Sequence, residues 1–192
     1  MAIDEVPCLV FAVVPRFVDN AEEFEVLLEC VKLCPCRHCG AHGTLIGHGF
    51  LRGYAERGSA FIERGRRFFC SNRGRKGGCG RTVSVLLAEL VPRFSVTVMT
   101  LWALFASLSG GLSVQRWTAH ARWPLSARSA YRIARRLQLA ALTWRAWLST
   151  RAPAPLSNVT SPFAQLKDHL VAVLGRAPLK QFQLLTGHSA LG

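Results

Sequence analysis

The sequence is short of acid: eleven Asp and Glu stand against 24 Lys and Arg in 192 residues, a formal net charge of +13. The shortage is also local. Residues 93–151 carry nine arginines and no carboxylate, and residues 52–81 carry nine bases against Glu56 and Glu63 alone. The acids crowd into residues 1–31, where seven of them face only Arg16. Lysine is scarce as well, four residues against twenty arginines. A GC-rich gene explains the choice of Arg over Lys, but not a 59-residue stretch without one acid. Two segments with so large an excess of positive charge call for a polyanionic partner.

Long apolar runs are missing too. None approaches the roughly 18–20 residues of a membrane helix, so no membrane partner is expected. The apolar patch in MAIDEVPCLVFAVVPRF has Asp4 and Glu5 where a signal peptide carries positive charge, and Pro15 and Arg16 end it. The expectation is a soluble, cytoplasmic, nucleoid-associated protein. Wholesale disorder is excluded by composition, since 50% of residues are hydrophobic and only 18% charged.

The third scarcity is of large apolar side chains between residues 34 and 83, a Gly-rich stretch with strand-like pieces TLIGHGF and AFIERGRRFFC. A unit of about 50 residues with so little core needs a staple. The cysteines offer one. Seven are present, an odd number, and two pairs lie in Cys36-x2-Cys39-Gly40 and Cys70-x8-Cys79-Gly80. Such clustering in a reducing compartment points to metal rather than to disulfides. A C-x2-C turn aims two thiolates at one point, and SNRGRKGG between the second pair can loop out while its cysteines converge. Cys36, Cys39, Cys70 and Cys79 are therefore the expected ligands of one structural Zn2+. Cys34 competes with Cys36, and His38, His42 or His48 can each replace a thiolate. Cys8 and Cys30 are expected as buried thiols.

The flanks read as helices. Asn20 and Glu23 form a capping box ahead of Phe24, Leu27, Leu28 and Val31. The acidic outer face of this helix reads as a solvated face, with folding back on a basic surface as the alternative. Val98, Leu101, Trp102, Phe105 and Leu108 make an apolar stripe that ends at Ser-Gly-Gly. Ser113 caps a short helix to about Ala121, and Ser126 caps a long one. In that long helix Ala130, Ala134, Leu137, Ala141, Trp144 and Leu148 share one face, with Arg128, Arg132 and Arg135 opposite and Ser129 and Arg136 beside them. An arginine-faced helix after a turn suits a recognition helix in a major groove. A second register places the reading helix in LFASLSGGLSVQRW, with Gln115 and Arg116 as readers. Leu139 and Leu142 fall on the arginine side, so the C-terminal helices or a second subunit are expected to cover them. A linker, APAPLSNVTSP, precedes helices at Pro162–Leu174 and about 178–186.

CPCRHCG, RRFFC…GCGRT, LSARSAYRIARRLQ and WRAWL together resemble the N-terminal regions of bacterial insertion-sequence transposases over roughly residues 34–150. The resemblance implies a zinc ribbon followed by a helix-turn-helix domain, with the four cysteines as zinc ligands and element ends or promoter DNA as target. The chain departs from that family in one respect. A three-carboxylate nuclease site needs acids spread through its domain, and none lies between Glu89 and Asp168. Tyr54 and Tyr131 lack a recombinase pattern. No enzyme is expected.

The expected fold is α+β, mostly α. It comprises an acidic strand/helix segment (1–33), a zinc ribbon built on a β-hairpin (34–92), a helix-turn-helix domain (93–151), and a linker with C-terminal helices (152–192). The expected function is binding of double-stranded DNA as a regulator or a transposition accessory factor. Ser126, Arg128, Ser129, Arg132, Arg135 and Arg136 serve from the long helix, and Arg64, Arg66, Arg67, Arg73, Arg75 and Lys76 contact phosphates from the ribbon. The alternatives are an RNA-binding zinc ribbon, and an interaction module that meets a transposase subunit or a second copy through the C-terminal helices.

Overall fold

The computed structural model describes residues 14–74, 77–120, 126–156 and 161–192. The chain is α+β. Its elements run β1 (Phe17–Val18), α1 (Glu22–Cys30), β2 (Leu45–Tyr54), β3 (Phe61–Cys70), β4 (Thr82–Leu87), α2 (Val98–Ser109), α3 (Val114–His120), α4 (Ala127–Ser149), α5 (Pro162–Leu174) and α6 (Pro178–Thr186). Two compact units result. One comprises residues up to Gly53 together with Ile62–Leu87, the other Tyr54–Phe61 together with Ala88–Gly192. No described helix is long and apolar enough to cross a membrane. The turn expected at 122–125 falls outside the described residues, as do Cys8, Arg75 and Lys76.

The first unit is a four-stranded sheet in the order β1-β4-β3-β2. β1 pairs parallel with β4, and β4 pairs antiparallel with β3, Phe68 lying opposite Val83. β4 alternates in burial, with Val83, Val85 and Leu87 turned inward, the period of a half-buried strand. α1 adds Phe24, Leu27 and Cys30 to this small core. Its start is a shifted capping box. Asn20 Oδ1 accepts from the Glu23 amide at 3.0 Å, while the Glu23 carboxylate accepts from the Asp19 amide at 2.8 Å.

The second unit is helical, and one apolar cluster joins α2, α4, α5 and α6. Every residue expected on the packing face of α4 is buried, and Ile133 and Ala140 join them. Trp144 sits at the centre, its ring edge-on to Phe105 at 5.4 Å and 6.3 Å from Phe182. Pro162 and Pro178 open α5 and α6, where a missing amide hydrogen costs nothing. Gln183 is wholly buried, yet it donates to the carbonyls of Ala88 and Leu90 and accepts from the Ala190 amide. α5 and α6 therefore share the core of α2 and α4 rather than trailing from it. They do not cover Leu139 and Leu142, each of which stays 63% exposed.

The Tyr54–Phe61 turn supplies a cap that the sequence did not advertise. Glu56 Oε1 accepts from Thr97 Oγ1 at 2.8 Å and from Thr100 Oγ1, at the start of α2. Thr97 is the N-cap of α2, its side chain accepting from the Thr100 amide at 3.1 Å. A carboxylate at a helix start is favourable, and α2 has no acid in its own first turn.

Candidate metal centre

Each cysteine pair is brought to one point by the same backbone device. After Cys39, Gly40 turns left-handed (φ 72°) and its amide returns to the Cys36 carbonyl at 2.7 Å. After Cys79, Gly80 (φ 70°) returns its amide to the Cys70 carbonyl at 2.9 Å. The second claw spans more residues, and its extra chain is pinched off below the tip by the Gly78 amide on the Ser71 carbonyl at 3.1 Å. A left-handed backbone is what glycine adopts without a Cβ penalty.

The four sulfurs of Cys36, Cys39, Cys70 and Cys79 all lie within 4.8 Å of one another. The Cys36–Cys79 separation is 3.9 Å and the Cys39–Cys70 separation 3.7 Å. A tetrahedron with metal–sulfur arms of about 2.3 Å has edges of about 3.8 Å. The donor set and its spacing therefore fit one tetrahedral, thiophilic ion.

Hydrogen bonds prepare the sulfurs for negative charge. The His38 amide points to Cys36 Sγ at 3.4 Å and the Cys79 amide to Cys70 Sγ at 3.3 Å. The Thr44 hydroxyl lies 3.1 Å from Cys70 Sγ. Burial alone would push the Cys70 thiol up, but Thr44, the Cys79 amide and the neighbouring thiols together bring it down to about 7. Cys79 moves the other way. The Arg81 amide works to lower it, yet burial and the three surrounding cysteine sulfurs hold it up at about 11.

The competing ligands stand elsewhere. Cys34 is buried with its Sγ on the Cys30 carbonyl at 3.5 Å, and burial together with the Cys30 thiol raises its pKa. His42 Nδ1 meets the Leu33 carbonyl at 3.2 Å, and the His48 ring packs 5.5 Å from Phe69. Cys30 is buried, its Sγ 3.0 Å from the Val26 carbonyl. Comparison with protein-family models, curated proteins and solved structures finds no match for this chain.

The basic residues divide by environment. Arg66 is held by Glu63 and Glu25, keeps only 13% of its side chain exposed, and stacks on Phe24 and Phe50. It also ties the acidic face of α1 to β3. Arg64 is half-buried, and that burial lowers its pKa. Arg67 and Arg73 are exposed. On α4, Ser126 is the N-cap and accepts from the Ser129 amide at 3.3 Å. Arg128, Arg132, Arg135 and Arg136 are exposed, Arg136 lying over the Phe94 ring at 5.3 Å. Gln115 and Arg116 are exposed on α3. Sequence reasoning missed Arg93, the one described non-glycine residue with a left-handed backbone (φ 66°). It missed Phe50 as well, 52% exposed with the guanidinium groups of Arg52 and Arg66 each 5.2 Å from its ring.

Proposed function

We propose that the chain is a zinc-stabilised binder of double-stranded DNA with no catalytic site of its own. The observation that carries this reading is a four-sulfur site with tetrahedral spacing in one unit, and in the other a long helix whose exposed charged side chains, Arg128, Arg132, Arg135, Arg136 and Arg145, are all cations. Cys36, Cys39, Cys70 and Cys79 would hold the ion, which supplies charge neutralisation for the thiolates and a covalent-like staple for the β-sheet unit. Zinc suits an all-thiolate tetrahedron, and four sulfurs leave no position for a reactive water. Binding of a structural zinc contributes roughly 10–16 kcal/mol of apparent folding free energy in small domains.

The β-sheet unit then acts as a zinc ribbon, and α2, α3 and α4 as a helix-turn-helix domain with α4 as reader. Arg128 and Arg135 are placed on its open face, while Arg67 and Arg73 of the ribbon contact phosphates. The reading includes a place among insertion-sequence proteins that bind element ends or promoter DNA.

One observation favours a second reading. Phe50, exposed beside the guanidinium groups of Arg52 and Arg66, is an aromatic side chain on which an unpaired base can stack. Competition of a labelled duplex against single-stranded RNA of the same length separates the two. Duplex preference with log K falling by about 0.9 per phosphate contact as log salt rises supports the first reading. Affinity that ignores salt, or preference for single strands, removes it.

A further inference from the structure

The segment Arg93–Ser95 and the first turns of α4 border a half-open pocket of about 200 Å³, lined by Arg93, Phe94, Ser95, Ser129, Arg132 and Ile133. Its floor is apolar, through Phe94 and Ile133. Its remaining lining residues are two arginines and two serines, all able to donate to an anion, with the Ser129 hydroxyl 3.1 Å from that of Ser126. Among the described residues neither Arg93 nor Arg132 has a carboxylate partner. Two acids of this unit are engaged elsewhere, Glu56 by Thr97 and Thr100 and Asp168 by Lys167.

Arg93 and Arg132, both exposed, bring two positive charges to the border of one small pocket, and like charges so placed repel unless something negative sits between them. The backbone accentuates the arrangement, because Arg93 is held in the left-handed region (φ 66°), which a β-carbon disfavours. A base edge is uncharged and would leave the repulsion in place. A tetrahedral oxyanion removes it and accepts from both guanidinium forks and from the Ser95 and Ser129 hydroxyls.

We propose that this cavity is a seat for one phosphate group. On the duplex-DNA reading above, on which the source of the phosphate rests, that group belongs to the DNA backbone. Arg93 and Arg132 then fix where α4 sits along the groove. Arg132 and Ser129 are then positioning contacts, and base reading falls to Arg128 and Arg135.

The test compares Arg93→Gly, Arg132→Gln and Arg128→Gln in the full zinc-loaded chain, with melting temperature as the check on folding. Glycine is chosen at 93 because it keeps the left-handed backbone. Affinity for a pool of duplexes is measured across a salt series. A second arm titrates inorganic phosphate, with chloride at matched ionic strength, into isotope-labelled protein and follows the amide signals of Ser95 and Ser129.

The expected result is that Arg93→Gly and Arg132→Gln weaken binding by the same factor for every duplex. Each also lowers the slope of log K against log salt by about 0.9. Phosphate shifts the two serine amides in wild type and not in Arg93→Gly. Unchanged salt slopes in folded variants overturn the seat while leaving DNA binding intact. So does an Arg132→Gln variant that only relaxes sequence preference. If wild type ignores duplexes but phosphate still moves both amides through Arg93, the DNA reading falls and the seat stands for a free phosphorylated ligand.

Discussion

Replacing Gly78 by alanine tests the metal centre more sharply than replacing a ligand, because no donor atom is removed. A β-carbon built at Gly78 lies 2.2 Å from the Ser71 carbonyl oxygen, 2.7 Å from its carbon and 2.9 Å from Cys70 Sγ. Ordinary van der Waals contact begins near 3.4 Å, so backbone on one side of the claw must retreat by about 1 Å. That movement breaks the bond from the Gly78 amide to the Ser71 carbonyl, worth about 1 kcal/mol. Relief of such a clash costs a further 1–3 kcal/mol or so. Together these predict a loss of metal affinity of roughly 30- to 1,000-fold. Gly77 is a matched control one residue away, since a β-carbon there meets nothing within 4 Å. Cobalt(II) titration, followed by thiolate-to-metal charge-transfer absorption and back-titration with zinc, reads both variants. Gly77→Ala should stay within about threefold of wild type on the same scale. Equal affinities for Gly78→Ala and Gly77→Ala would refute the argument that the narrow base of this claw aims its sulfurs.

Two further outcomes follow from the geometry. A metal must displace the proton from each thiol it binds, and Cys70 loses its own near pH 7 whereas Cys79 keeps its own to about 11. Log affinity should therefore gain one decade per pH unit from Cys79 throughout pH 5–9, and a second decade per unit from Cys70 only below about pH 7. A metal-binding isotherm series over that range should show its slope steepen by one on the acid side, and a constant slope would count against the Cys70 environment. Separately, Glu56→Ala removes the acceptor shared by the Thr97 and Thr100 hydroxyls. It should cost about 1–2 kcal/mol, read by denaturation of the helical signal with metal affinity unchanged.

The metal centre and the long helix were legible because their information is local. Cys36 and Cys39 are neighbours in a turn, each pair is followed by a glycine, and the buried face of α4 repeats every three to four residues. β4 was less visible. Its alternating Val83, Val85 and Leu87 run directly into Ala88, Leu90 and Val91, which are also buried, and an apolar run of that length reads as helix or strand. The Glu56 cap could not be read at all. It joins residues 41 and 44 positions apart, and in sequence Glu56 is only a lone acid in a basic stretch. The same holds for Gln183, whose partners Ala88 and Leu90 lie 95 and 93 positions away. Proline-rich composition before α5 suggested a tether to separate helices, but helix burial depends on partners that composition does not name. Arg93 hid for a different reason. Its left-handed turn is a glycine's conformation occupied by a residue that no turn rule assigns there.

The base of the second claw has a practical corollary. Gly78 meets Ser71 and Gly80 meets Cys70 through the main chain, so the base of this claw is closed by backbone bonds rather than by the side chains between. A foreign peptide inserted after Gly74 would therefore be displayed on a stem whose base is closed by main-chain bonds, whatever side chains the insert carries.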